Sequence, residues 1–329
     1  MRGTMSGHQI FVDELARFAG AAADTRWTAI AERLGAPLRV AVSGRRGVGR
    51  RTVAHALVRA GIDLAPSSNA ADLDVYLIAE VVKPEDRDAI AAAGPRVLTV
   101  LNKADVSDTP PGVSAQPMVG LLAVAALDGL LDDTRWAALR LLSARPADLS
   151  SPDSFLAGTH PLPVETRGRL LDTLDVFGIT AAIAAIRRGE SRAQTQALLR
   201  RLSRVDAVVA SITAAGAEVR YRRLLGAVAE LEALAVTDRL AGQFLSRDDT
   251  VIAQMLAAID VVEAAGLPVE RVRHPAEHLR QARHWQRYSR GSVSALHRAC
   301  GADIARGWLR LWFHARATGR CQSAEARRD

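Results

Sequence analysis

The chain has 329 residues, 49% of them apolar, and a net charge of +7. That length holds two domains with their own cores, and no apolar run is long enough for a transmembrane helix. Two cysteines, Cys300 and Cys321, exclude a disulfide framework. The start, Met1 to Ser6, leads into charged residues, so no secretion signal is expected and the cytoplasm is the expected compartment. Almost all the positive charge is Arg, spread over helical faces, which reads as solvated charge; nucleic acid is not the expected partner.

Residues 9–34 carry Ile10, Phe11, Leu15, Phe18, Trp27, Ile30 and Leu34 at roughly helical spacing, ended by Gly35-Ala36-Pro37. Leu38 to Val42 reads as a short strand. It runs into Ser43-Gly44-Arg45-Arg46-Gly47-Val48-Gly49-Arg50-Arg51-Thr52, with a helix over 53–60. Leu73 to Ala79 is a buried-type strand, and Pro84 to Ala93 a helix with Pro in its first turn. Val97 to Leu101 is a further strand, delivering Asn102-Lys103-Ala104-Asp105. Met118 to Ala123 reads as another strand and 132–143 as a helix. Strands alternating with helices imply a parallel sheet with ligand at the carboxyl ends of its strands.

Residues 144–163 are rich in Pro, Ser and Gly and read as a linker. Beyond it no strand pattern occurs. Residues 165–187, 191–214, 217–235, 247–265 and 273–316 read as helices. The expected architecture is α/β: an N-terminal helix (1–35) packing on the helical domain, a small parallel-sheet domain (36–143), the linker, an all-α domain (164–318) and a disordered tail (319–329).

Two motifs carry chemistry. Gly44 and Gly49 have the spacing of G-x-x-x-x-G-K-[ST], with Gly47 adding flexibility. The phosphate candidates are Gly44, Arg45, Arg46, Gly47, Val48, Gly49, Arg50, Arg51 and Thr52. Arg50 stands where Lys reaches phosphates, and Arg51 where Ser or Thr ligates Mg²⁺. Thr52, one position late, is the Mg²⁺ candidate in this loop. In the second motif, the Asp105 carboxylate can accept from the ring N–H and exocyclic amine of guanine. Lys103 can lie across the base, and Asn102 can tie this loop to the glycine loop.

Together these motifs resemble the P-loop GTPases of the translation-factor class. The helix before the first strand and the helical second half are most similar to the bacterial dynamin-like branch. The resemblance implies GTP or GDP as ligand, bound at Asn102, Lys103 and Asp105, with a base-cradling fifth motif that falls by position at Leu122-Ala123. It also implies a protein partner or paired GTPase, and a peripheral contact with the inner face of the membrane. The separation of Gly49 and Asn102 is too short for the family's switch region. Asp72 and Asp74 are read as structural, and slow or absent hydrolysis is expected. An alternative is an interaction module that binds no nucleotide.

Two weaker patterns remain. His274 and His278, four apart, read as surface histidines. Trp285, Tyr288, Trp308, Leu309, Leu311, Trp312 and Phe313, with Arg283, Arg287, Arg290, Arg306 and Arg310, read as core packing or as an amphipathic contact helix.

Overall fold

The computed structural model describes residues 6–22, 24–94, 97–106, 114–270, 272 and 274–325. It is 69% helix with one four-stranded parallel sheet. The chain divides into two compact units, Leu38–Thr213 and Met1–Pro37 with Ala214–Asp329.

The chain opens with α1 (Gly7–Ala22) and α2 (Thr25–Gly35), separated at Asp24, whose carboxylate caps α2 by accepting from the Arg26 N–H at 2.8 Å. Then come β1 (Val40–Gly44), α3 (Arg50–Arg59), a 3₁₀ turn (Ser68–Ala70), β2 (Leu73–Ala79), α4 (Pro84–Ala93), β3 (Val97–Asn102) and β4 (Gln116–Met118). The sheet unit continues with α5 (Gly120–Leu127), α6 (Asp133–Ala144), α7 (Pro152–Ala157), α8 (Val164–Arg187) and α9 (Arg192–Ser203). The division falls inside α10 (Val205–Ala235), which is followed by α11 (Arg239–Ser246), α12 (Asp248–Ala264), α13 (Pro275–Ser289) and α14 (Ala295–Glu325).

The strands lie in the order β1-β2-β3-β4, all parallel, with Gly44 opposite Leu77 and Ala79 opposite Asn102. Side chains alternate between the faces. Tyr76, Ile78 and Leu101 pack against Ala89 and Ile90 of α4. Leu77, Val100 and Asn102 point to the opposite face. Among the described residues, β1 is an edge strand; in the connection to β2, Leu64 bridges Val40 and the 3₁₀ turn lies against β1.

Several helix bounds differ from the sequence reading: 9–34 is two helices, 191–214 and 217–235 regroup as α9 and α10, and 273–316 is α13 and α14. Three further boundaries differ. The run Met118 to Ala123 is mostly helix: β4 stops at Met118 and α5 begins at Gly120. A short apolar run does not distinguish strand from helix by periodicity. The second difference follows from the first. Helix α5, Gly-Leu-Leu-Ala-Val-Ala-Ala-Leu, is apolar on every face and so needs cover all round. α3 lies on one side; α8 and α9 supply the rest, with Leu122, Ala125, Leu170, Leu174, Ile179 and Leu199 in one core. Gln196 Nε2 donates to the Ala126 carbonyl at 2.8 Å and Val119 N–H to the Ser203 carbonyl at 3.0 Å. Residues 164–213 therefore belong with the sheet, and 144–163, which contains α7, lies within that unit. Third, α14 runs to Glu325, so most of the tail expected to be disordered is helical.

In the helical unit, α1 packs on both α2 and α12, and Phe11, Phe18, Trp27 and Phe244 cluster with ring centroids 5.1–5.7 Å apart. Deeper in, Tyr221 donates to Asp303 at 2.8 Å. Burial pushes the Asp303 carboxyl up, against the Tyr221 bond and the Arg306 charge. A carboxyl raised in the folded state favours folding below its unfolded pKa, and that contribution is lost as pH rises through the folded value. Asp303→Asn keeps an acceptor for Tyr221 and removes the buried charge. At pH 7 it is expected to leave stability unchanged or raise it by up to about 1 kcal/mol, with no gain below the ordinary carboxylate range. Thermal melting at the two pH values checks this, and a loss of several °C at pH 7 would contradict it.

Candidate functional site

Strand β1 ends in Gly44, the loop turns through 45–49, and α3 starts at Arg50. Gly44, Gly47 and Gly49 have φ of 132°, 88° and 88°. Successive N–H groups in such a turn form a concave anion-binding surface. No side chain caps α3, and its first turn holds no acid but begins with Arg50 and Arg51. Cations at a helix N-terminus face its positive end, which carries about half a unit charge. This end of the fold is therefore electrostatically unfavourable until an anion joins it.

Asn102 ends β3 and is buried. Its Nδ2 donates to the Val48 carbonyl at 2.8 Å, and its Oδ1 accepts from the Gly120 N–H at 2.9 Å. One amide thus holds three segments: the glycine loop, the end of β3 and the start of α5. A Cβ on Gly49 would collide with Asn102 Nδ2, and one on Gly120 would sit 2.9 Å from Oδ1. With φ at 88°, Gly49 is also in the region L side chains rarely adopt.

Past Asn102 the chain turns sharply at Lys103, φ 58°, whose side chain is exposed. The Ala104 N–H donates to the Met118 carbonyl at 3.2 Å, so the loop is anchored on β4. Asp105 is half-buried. Burial raises its carboxyl pKa; its own backbone N–H opposes this, Asp175 adds to it and Lys103 subtracts. Asp175 lies at a break in α8, with φ 55° and ψ 176°.

The other site candidates fall differently. Arg46, Arg50 and Arg51 are exposed, Thr52 is half-buried and Val48 is buried. Arg45 turns away from the loop: its Nε donates to the fully buried Asp86 at 2.8 Å. Asp86 also accepts from Tyr76 Oη at 3.0 Å and the Lys83 N–H at 2.9 Å. Burial alone would push the Asp86 carboxyl up; the bonds from Arg45, Lys83 and Tyr76 outweigh it and hold the carboxyl low. Arg45 thus joins the loop to α4, its guanidinium engaged by Asp86. Leu122 and Ala123 are both 0% exposed within α5 and cannot cradle a base. The segment beside Asn102 is instead Val119-Gly120, and the recognisable signal is a glycine two residues past the last strand.

The donors for Mg²⁺ do not fit. Thr52 is the third residue of α3, with Arg51 at the position where a metal-binding hydroxyl belongs. Asp72 Oδ2 accepts from the Arg39 N–H at 2.9 Å, and Asp74 takes Ser43 and Ser68 hydroxyls at 2.8 and 2.9 Å. Among the described residues, no group of three His, Cys, Asp or Glu side chains could hold a metal. The two histidines separate: His274 precedes α13, whereas His278 is buried with its ring 5.3 Å from Trp308. Trp285 and Trp308 are core residues, while Leu309 and Phe313 are exposed. Among the described residues, no helix is long and apolar enough to cross a membrane.

The chain matches no protein-family model, no curated protein sequence and no solved structure. The site is therefore argued from its own geometry. Asn102→Ala strands the Val48 carbonyl and the Gly120 N–H in the interior and is expected to cost about 2–4 kcal/mol. Gly49→Ala, which forces the same amide aside, should cost about 1–3 kcal/mol. Urea denaturation checks both, and losses under about 0.5 kcal/mol would mean the amide is not a structural tie.

Proposed function

We propose that the Leu38–Thr213 unit is a P-loop-like module that binds guanine nucleotides and hydrolyses them slowly or not at all. The observation that carries this is the Asn102 amide, which fastens the glycine loop and the Asn-Lys-x-Asp loop to each other. A nucleotide has to reach both at once, phosphates on one and base on the other.

In this reading, the amides of 44–49 and the start of α3 cradle the phosphates, and Arg50 supplies charge and donors. Asp105 accepts from the two N–H groups on guanine's edge, an arrangement adenine does not offer. Lys103 lies along the base. Slow turnover follows from the engaged carboxylates. Phosphoryl transfer depends on a positioned water and on charge stabilisation at the leaving phosphate. Asp72 and Asp74 are both held by neighbouring donors, and the connection from α3 to β2 holds the Leu64 bridge and one 3₁₀ turn but no strand of its own. The helical unit would carry the output, to a protein partner, a paired GTPase or the cytoplasmic face of a membrane.

Calorimetric titration of the whole chain with GTP, GDP and ATP tests the reading. Binding of GTP and GDP with ATP at least about tenfold weaker is expected; no binding to any of them would favour an interaction module without a ligand. Asp105→Asn should shift preference toward xanthine nucleotides. The ionised Asp105 is the acceptor, and its pKa in the free protein is raised. Guanine affinity should therefore fall on acidification, beginning above the usual carboxylate range, and the fall should vanish in Asp105→Asn.

A further inference from the structure

Resting on that reading, we propose that the nucleotide is bound without a divalent metal, and that Arg51 provides the counter-charge the metal would give. A P-loop of the usual kind presents one Lys to the phosphates and a hydroxyl at the next position to Mg²⁺. Here Arg50 and Arg51 fill those two places, and Arg46 lies in the loop itself. All three guanidinium-bearing residues are exposed. The loop's fourth arginine, Arg45, is occupied by Asp86.

Charge balance favours this arrangement. Arg46 and Arg51 together bring the two positive charges of a divalent ion, beside the charge of Arg50. A guanidinium binds phosphate oxygens bidentately and does not lose its proton. A divalent ion in the same place would meet Arg51 instead of an oxygen donor, and a hard cation such as Mg²⁺ needs oxygen ligands. Three carboxylates on or near β2 and α4 already accept hydrogen bonds: Asp72 from the Arg39 N–H, Asp74 from Ser43 and Ser68, and Asp86 from Arg45, Tyr76 and the Lys83 N–H. The arrangement also accounts for two cations at the positive end of an uncapped helix, where they are unfavourable alone and favourable around an anion.

The test is titration of the purified full chain with GDP in excess Mg²⁺ and again in excess EDTA. The expected dissociation constants agree within about threefold. Arg51→Ser, a change at an exposed residue, is expected to weaken binding in EDTA by about tenfold or more while leaving the circular dichroism spectrum and melting temperature unchanged. Magnesium should then recover part of that loss, because a hydroxyl has replaced the guanidinium. GDP binding that requires Mg²⁺ in the wild type would overturn the inference and leave the guanine reading standing. An Arg51→Ser variant that binds as tightly as wild type in EDTA would also overturn it. Absence of GDP binding in both buffers would remove the guanine reading and this inference together.

Discussion

A single buried amide organises the sheet unit. Asn102 spends its donor on the carbonyl of Val48 and its acceptor on the N–H of Gly120. Leaving buried polar groups unpaired costs more than making the bonds gains. The glycine loop, the end of β3 and the start of α5 are therefore fixed as a set. The residues around the amide are shaped by this. Gly49 and Gly120 each lie where a side chain would strike it, from opposite directions along the chain.

A second constraint holds the other side of the loop. Asp86 is a fully buried carboxylate with three donors, and one of them is Arg45. A buried charge is tolerated only when paired and hydrogen-bonded. The loop therefore begins on an ion pair to α4 and ends on a hydrogen bond donated by the Asn102 amide at the end of β3. Between these anchors only Arg46 and Gly47 reach outward. A preformed loop lowers the ordering cost of binding a phosphate chain. The same rigidity fits the proposed slow turnover, since the connection from α3 to β2 holds the bridge at Leu64 and one 3₁₀ turn but no strand of its own.

Much of the sheet was legible because its signals are local. Two β-type runs, Leu73 to Ala79 and Val97 to Asn102, lie at the expected places, and the Asn-Lys-x-Asp stretch follows the second. The glycines at 44, 47 and 49 marked a turn by their backbone freedom alone. What escaped the sequence was long-range. The partner of Arg45 lies 41 residues away, and no pattern links the two. The helical cover of α5 was missed because the run Met118 to Ala123 fits either element, and that choice also displaced the fifth motif onto buried Leu122 and Ala123. Once α5 is a helix, its apolar faces demand α8 and α9, and the expected boundary at 144–163 dissolves.

The central claim is that two loops joined by Asn102 form one ligand cleft. Amide-resolved NMR of the full chain, titrated with GDP and in parallel with ADP, addresses it directly. The account predicts that signals from 44–51 and from 102–106 with 118–120 shift together on GDP with a single dissociation constant, and that ADP produces a much weaker response at 102–106. Shifts confined to 44–51, equal for the two nucleotides, would show a phosphate-binding turn without a base site and would contradict it.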